Sequence, residues 1–372
     1  MTFAELKALD ETYVMHTYGR FPVDIDHGQG ATLYSLSGRK YIDFTSGIGV
    51  NSLGYGNPKW MAAITEQIGK LGHISNLFYT QPGTLLAQQL CTRSGMDKVF
   101  FGNSGAEANE AMIKVARKYS FDKYGKGRST ILTLNRSFHG RTITTLTATG
   151  QESYHNYFFP FNEAFRYADP TLESIQAQAG DDVCAVMVQS LAALCREKDW
   201  LLLVDEGQTG IGRTGSLFAF QQFGIQPDVV SFAKGIAGGL PLGGILTNEK
   251  CAGVLTPGTH GSTFGANPVS TAAGLAVLET MDQPFLDQVR EKGAYLRAGI
   301  QAIGSPELGD VVGLGLMLGI DVKGPRTNKE LAALLIDHAR GVEPCTIQEI
   351  HDFVPQSSSI ANGQILAEGY DR

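Results

Sequence analysis

Three segments of the chain put reactive side chains directly behind apolar runs. Residues 102–109 read Gly-Asn-Ser-Gly-Ala-Glu-Ala-Asn and follow Val99-Phe-Phe101. Their small residues, with Ser104, Gly105 and Ala106 at the centre, let backbone N–H groups approach an anion, and a helix start favours negative charge. This is a phosphate cup without a P-loop lysine; an ordinary glycine turn before a capped helix has the same composition. Residues 201–206 read Leu-Leu-Leu-Val-Asp-Glu. A carboxylate such as Asp205 at the carboxyl end of a buried strand needs a cation, a metal ion or a protonated ring nitrogen, or else it caps a turn. Residues 229–241 place Lys234 after Val-Val-Ser-Phe-Ala and before a glycine-rich turn. Burial lowers a lysine pKa and makes it a Schiff-base nucleophile, whereas a strand-end lysine can also reach out to solvent. Together the three segments supply a phosphate site, an acid and a lysine at three strand ends of one sheet. Those are the requirements of pyridoxal 5′-phosphate (PLP): the phosphate is held, the lysine meets C4′, and the acid keeps the pyridine nitrogen protonated.

The elements that must position these groups follow from the apolar pattern. Strands are expected at 98–102, 129–134, 185–188, 201–205, 229–233 and 244–247, and helices over 58–71 and 106–124, with helical patterns between several of the strands. This alternation predicts an α/β fold with a mostly parallel sheet covered on both faces. Residues 1–45 read as irregular turns and short strands, including two short runs around Ser37-Gly38. Beyond residue 280 the pattern predicts a helix over 284–303, a strand over 311–320 and a helix over 328–339, which is a smaller α/β domain. The expected organisation is an N-terminal segment at 1–45 joining the small domain, a large cofactor domain at 46–278 and a small domain at 279–372, atypical after 341.

Composition narrows the function classes. With 37 acids against 30 bases the chain is net negative, which argues against nucleic acid as a partner. At 43% apolar and 18% charged it is neither disordered nor a coiled coil. No apolar run is long enough to span a membrane, and the first 25 residues lack a signal-peptide core. Cys91, Cys184, Cys195, Cys251 and Cys345 are scattered with no C-x-x-C, so no zinc site or disulfide framework is suggested. The expectation is a soluble, cytoplasmic protein without a metal.

An ordered set of motifs carries a family resemblance. It includes Thr-Tyr-Gly-Arg-Phe-Pro at 17–22, Asp-Phe-Thr-Ser-Gly-Ile-Gly-Val-Asn at 43–51, Ser-Phe-His-Gly-Arg-Thr at 137–142, Asp-Glu-Gly-Gln-Thr-Gly at 205–210 and His-Gly-Ser-Thr-Phe-Gly at 260–265. Over residues 15 to 320 the chain resembles the class III PLP-dependent aminotransferases, most closely those acting on acetylornithine. The resemblance implies a fold-type-I PLP-dependent transferase that moves an amino group from N-acetylornithine to 2-oxoglutarate in arginine biosynthesis. Ornithine, succinylornithine or 4-aminobutyrate as donor, or a PLP-binding paralogue with impaired turnover, are the alternatives. It further implies that Lys234 carries the cofactor and shuttles the proton, that Asp205 pairs with the ring nitrogen, and that Gln208 sits near the ring hydroxyl. Ser104, Gly105 and Ala106 would hold the phosphate, Phe138 would stack on the ring, and Arg141 would hold the substrate carboxylate. Thr263, with Ser262 beside it, would reach the cofactor of a second subunit, making a homodimer with shared sites.

Three departures from the family pattern stand out. Gly207 replaces a valine that resembles a wedge behind the ring, and a gap is expected there. After Val188 a Glu-Pro pair and a Gln-Gly-Glu-Gly-Gly loop are missing, so residues 189–199 must form the whole crossover to the next strand. In the family that loop supplies a glutamate gating the substrate arginine. At 340–345 the Arg and Pro-Pro-Leu of the small domain are not matched.

Overall fold

A computed structural model describes residues 1–187 and 192–324. The expected helix over 328–339 and the altered tail lie outside the described residues. The chain divides into two compact units, one formed by residues 1–58 with the described residues from Arg290, the other by residues 59–289.

The first unit opens with α1 (Phe3–Tyr13), where irregular chain was expected. The helix buries no residue, so it has no apolar stripe to detect. Its signal is the capping box, in which Thr2 and Glu5 satisfy each other's backbone N–H. Strands β1 (His27–Gln29), β2 (Thr32–Tyr34) and β3 (Lys40–Ile42) form an antiparallel sheet, with Tyr34 opposite Lys40 across the Ser37-Gly38 turn. A short turn, α2 (Ser46–Gly49), follows.

The second unit holds the large sheet. Its elements are α3 (Pro58–Lys70), α4 (Gln81–Ser94), β4 (Lys98–Gly102), α5 (Gly105–Tyr124), β5 (Thr130–Leu134), α6 (Ile143–Ala148), β6 (Phe165–Ala168), α7 (Leu172–Ala177), β7 (Val183–Met187), α8 (Ala192–Lys198), β8 (Leu201–Glu206), β9 (Val229–Phe232), β10 (Gly243–Thr247) and α9 (Pro268–Thr280). The strand order is β4-β10-β9-β8-β7-β5-β6. All neighbours pair in parallel except β10, which is antiparallel to both β9 and β4. Consequently β4, β5, β8 and β9 all point their carboxyl ends to the same edge, where α/β sheets bind ligands. Edge strand β6 escaped the apolar pattern because its Phe-Arg-Tyr-Ala sequence carries Arg166, paired with Asp182 at 2.8 Å.

Helix α5 ties the cup to this sheet. Ser104 caps its first turn, and Ala108, Ala111, Met112, Val115 and Ala116 recur at helical spacing and are fully buried. They pack in one cluster with Ile131, Met187, Leu201, Leu203, Val229 and Ile245. Each large side chain removed from water there stabilises by about 1.5–3 kcal/mol. The crossover from β7 to β8 is as short as the sequence requires. Its helix α8 buries Leu194 and Cys195, and Trp200 N–H closes onto the Cys195 carbonyl at 2.9 Å.

The chain leaves this unit through α10 (Gln283–Ala302). The single strand expected over 311–320 is instead a hairpin, β11 (Leu308–Leu314) and β12 (Met317–Val322), paired antiparallel. Gly313 and Gly315, at φ of 114° and 54°, make the reversal that an unbroken strand reading overlooks.

Candidate active site

Asp205 is the best-partnered group at the carboxyl edge. Its Oδ1 accepts from Gly207 N–H at 2.9 Å and from the Ser231 hydroxyl at 3.1 Å. Its Oδ2 accepts from Asn109 Nδ2 and His139 Nδ1, both at 2.8 Å. The β8–β9 register puts Asp205 opposite Ser231. Asn109 comes from the buried face of α5, and it gives its other hydrogen to the His139 carbonyl at 2.7 Å. Burial alone would raise the Asp205 pKa. The hydrogen bond and charge of His139, with the bonds from Gly207 and Asn109, outweigh it and hold the carboxyl below its ordinary value. The acid is therefore ionised and aimed. The adjacent Glu206 faces the other way, accepting from the N–H groups of Ala219 and Phe220 at 2.7 Å, and burial pushes its pKa up.

Lys234 follows β9 at φ 51°, a left-handed conformation that costs a side-chain-bearing residue of order 1 kcal/mol or more. Burial lowers its pKa, opposed by the charge of Asp205. Among the described residues its amine has no hydrogen-bond or ion-pair partner. Four residues precede a second left-handed position at Gly238, so the strand ends in a tight 3₁₀ turn that fixes where the lysine starts.

The cup stands at the start of α5. The Ser104 hydroxyl accepts from Glu107 N–H at 3.2 Å and bonds the Glu107 carboxylate at 3.0 Å, so it serves the helix start itself. That carboxylate also accepts from Asn103 N–H at 2.9 Å. The N–H groups of Gly105 and Ala106 have no acceptor among the described residues, which leaves two aligned donors at the positive end of a 20-residue helix. Ser262 joins the cup from another loop, accepting from Asn103 Nδ2 at 3.1 Å, and Asn76 Nδ2 fastens that loop through the Ser262 and Gly265 carbonyls. Thr263 beside it is exposed.

Phe138 and Arg141 extend from the loop after β5. The Arg141 guanidinium is exposed and lies 4.4 Å from the Tyr154 ring centroid and 5.8 Å from that of Phe138. Gln208 is half-buried one turn past Asp205. A Cβ on Gly207 would lie 3.1 Å from Asp205 Oδ1 and, its chain neighbours aside, within 4 Å of no other described atom, so the position is open except toward that carboxylate.

The residues that sequence reasoning missed are the partners of Asp205. His139 and Asn109 stood inside quoted motifs without a role, and Ser231 stood in an apolar run. These surroundings fit PLP. They combine an ionised acid, an amine of lowered pKa, a free N–H pair at a helix start, and two buried polar atoms, Asn109 Oδ1 and His139 Nε2, that no described residue satisfies.

Comparison with known proteins gives a consistent result. The family profile described as aminotransferase class-III matches residues 13–188 and 170–355. The overlap of the two segments ends at Val188, where the crossover is short. The acetylornithine aminotransferase of Haemophilus ducreyi is 49% identical over 340 residues, covering 86% of each chain. Since 86% of 372 residues is about 320, about 20 aligned positions of that relative have no counterpart in this chain. The acetylornithine aminotransferase of Methanothermobacter thermautotrophicus is 38% identical over 379 residues, 95% of this chain and 94% of its own. Among solved structures, ornithine aminotransferase from Toxoplasma gondii, in a form with partial occupancy of PLP at its active site, superposes with a TM-score of 0.86 at 28% identity, over 92% of this chain and 87% of that one. Acetylornithine aminotransferase from Elizabethkingia anophelis gives 0.80 at 25% identity, over 97% and 99%.

Proposed function

The chain belongs to the class-III aminotransferases, which use PLP, and on that premise we propose that it takes the amino group of N-acetylornithine and delivers it to 2-oxoglutarate in the cytoplasm. The donor preference rests on relatives of that name at 38–49% identity over most of the chain. The observation that carries the chemistry is the arrangement of Lys234, Asp205 and the start of α5 at one sheet edge.

Bound PLP supplies a ring that takes up the electron pair when the substrate's reacting carbon loses its proton. Asp205, ionised and fixed by four donors, keeps the ring nitrogen protonated. His139, Asn109 and Ser231 orient that carboxylate. Lys234, with its lowered pKa, would hold the cofactor and take up the proton that the substrate's reacting carbon loses. The N–H groups of Gly105 and Ala106 grip the phosphate, with Ser104 shaping the turn. Phe138 would cover one ring face, Gln208 would stand by the ring hydroxyl, and Arg141 would offer a two-pronged clamp for the substrate carboxylate.

The reading includes a homodimer. Leu77, Phe78 and Tyr79 expose 87%, 62% and 103% of their surface, and Phe264 beside Thr263 exposes 61%. Asn76 bonds the carbonyls of Ser262 and Gly265, so these side chains project from segments fastened together. A second copy seated there would bury them and bring its Thr263 to this cofactor. No helix among the described residues is long and apolar enough to cross a membrane.

The short crossover sets the expected rate. Losing the Glu-Pro pair and the loop after Val188 leaves the cofactor groups in place but removes the segment that would gate Arg141 between two acids. Misplacement of this kind costs on the order of a hundredfold. Purified protein with PLP should change absorbance slowly on adding N-acetylornithine, with steady turnover on 2-oxoglutarate well below the roughly ten per second usual for enzymes. No spectral change with N-acetylornithine, together with a change on ornithine or 4-aminobutyrate, would overturn the donor assignment.

A further inference from the structure

We propose that the outer side of α5 carries a second ligand site, for a small molecule bearing several phosphate groups. A groove of about 690 Å³ there is lined by Lys114, Arg117, Lys118, Lys126 and Arg128, with Glu110 as its one carboxylate. That volume suits a metabolite-sized ligand.

The five cations gather for local reasons. Positions 110, 114, 117 and 118 share one face of α5, and the Gly125-Lys126-Gly127-Arg128 turn folds two more charges over the helix end. Their partners position them without neutralising them. Arg117 donates to the carbonyls of Ser129 at 3.3 Å and Glu163 at 3.1 Å. Arg128 donates to the carbonyls of Val183 and Asp199, both at 2.8 Å, and of Lys198 at 2.9 Å. Lys114 bonds the Thr259 carbonyl at 2.7 Å and the His260 ring at 3.0 Å. Among the described residues, only Lys118 of these five cations has a carboxylate partner, Asp122 at 2.5 Å. Glu110 accepts from the Thr142 hydroxyl at 2.6 Å and makes no ion pair with them among the described residues, though its charge reaches Arg117.

The groove is thus strongly positive on a chain of net charge −7. Arg117 is half-buried and stacked 5.0 Å from the Phe165 ring centroid; burial lowers its pKa, opposed by the nearby Glu110 carboxylate. The N–H groups of Lys126, Gly127 and Arg128 have no acceptor among the described residues and add neutral donors beside the charges. Guanidinium and ammonium groups held at fixed spacing around exposed N–H groups recognise phosphate oxygens. Several phosphates are needed to meet four unneutralised cations. Phe121, 55% exposed on the lining, gives the body of such a ligand an apolar wall.

The test uses the PLP-loaded protein, so that the cofactor's own phosphate cup is filled. Binding of inorganic tripolyphosphate is followed by titration calorimetry at low and moderate salt. Wild type should bind one equivalent, more weakly as salt rises. The double variant Lys118→Glu with Lys126→Glu should lose tenfold or more in affinity, while Lys7→Glu, an exposed control, should stay within twofold. A thermal melt of each variant verifies folding. ATP in place of tripolyphosphate should bind at least as tightly, through Phe121. No heat with wild type, equal affinity in the double variant, or an equal loss in Lys7→Glu would each overturn the site. None of these residues belongs to the PLP site, so either idea can fail alone.

Discussion

Replacing Asp205 by asparagine tests the centre of the site, because the donor pattern decides what the amide can do. The His139 carbonyl only accepts, so Asn109 must direct its amide nitrogen toward both that oxygen and Asp205 Oδ2. An asparagine with its own nitrogen on that side would set N–H against N–H. The better choice puts its oxygen there and its nitrogen toward Gly207 and Ser231. The Ser231 hydroxyl can rotate and accept, but Gly207 N–H can only donate. One buried backbone donor is left unmatched, at about 1–3 kcal/mol. The variant should therefore unfold at lower urea than wild type near neutral pH. The sign with pH follows from the lowered carboxyl pKa. Its contribution is complete above the ordinary aspartate value of about 3.9 and disappears as pH falls through the lowered folded value. The gap between variant and wild type should close in acid.

The kinetic consequence is separate. A neutral amide cannot hold the ring nitrogen protonated, and removing one preorganised electrostatic group costs about 10²–10³ in rate. Stopped-flow absorbance with N-acetylornithine should show that loss while PLP still binds. Ser231→Ala is the companion: it removes the 3.1 Å bond but keeps the charge, so it should cost about 1 kcal/mol of stability and little rate. Asp205→Asn with near-wild-type rates, or with unchanged stability at neutral pH, would refute this account of the network.

Reduction of the PLP-loaded protein with borohydride, followed by peptide mapping, should place the pyridoxyl group on Lys234; a label on another lysine would exclude that assignment. Arg141→Lys keeps the charge but loses the fork, so KM for amino donors should rise while PLP affinity holds, and an unchanged KM would put the carboxylate site elsewhere. Burial lowers the Lys234 pKa, so the apoprotein bears the cost of a buried charge in full below the lowered folded value, and that cost is relieved as pH rises from there toward 10.5. Lys234→Met should accordingly raise the apoprotein's urea midpoint at pH 7 and approach wild type near pH 10; a constant difference across that range would contradict the sign.

What could be read from the residues was local. Asp205, Lys234 and the 102–109 segment stand out because each ends an apolar run whose strand character is written in its own few residues. Their shared edge could be inferred because alternating strands and helices imply a parallel sheet. The donors to Asp205 were hidden for the opposite reason. Asn109, His139 and Ser231 lie 96, 66 and 26 residues from it in sequence. Which of them meet it depends on strand order and on the β8–β9 register, which no local pattern records. Helix α1 was missed because it buries nothing, and the β11–β12 reversal because its glycines sit inside an apolar stretch.

The missing crossover segment separates what the fold needs from what the site needs. β7 and β8 are sheet neighbours, so a connection of about a dozen residues suffices to return the chain. The far end of that connection is held firmly. Asp199, at φ 50°, accepts from Lys123 at 2.6 Å and from Tyr124, which with Lys250 nearby hold its pKa down to about 2 against the opposing effect of burial. Arg128 binds the carbonyls on both sides of this turn. The sheet therefore tolerates the loss at the end away from the ligand edge. At the ligand edge the cofactor groups stand on β4, β5, β8 and β9, none of which the shortening touches. On the reading proposed above, what the chain lacks is the segment that would project from β7 over the crevice, and the sequence has just four residues between Met187 and Ala192. By this reasoning, cofactor affinity and substrate exchange are separable properties of the chain. Grafting the corresponding segment of the Haemophilus ducreyi relative after Val188 should raise turnover on 2-oxoglutarate while leaving PLP affinity within a fewfold. If the graft tightened PLP and left turnover unchanged, the crossover would belong to the cofactor site instead.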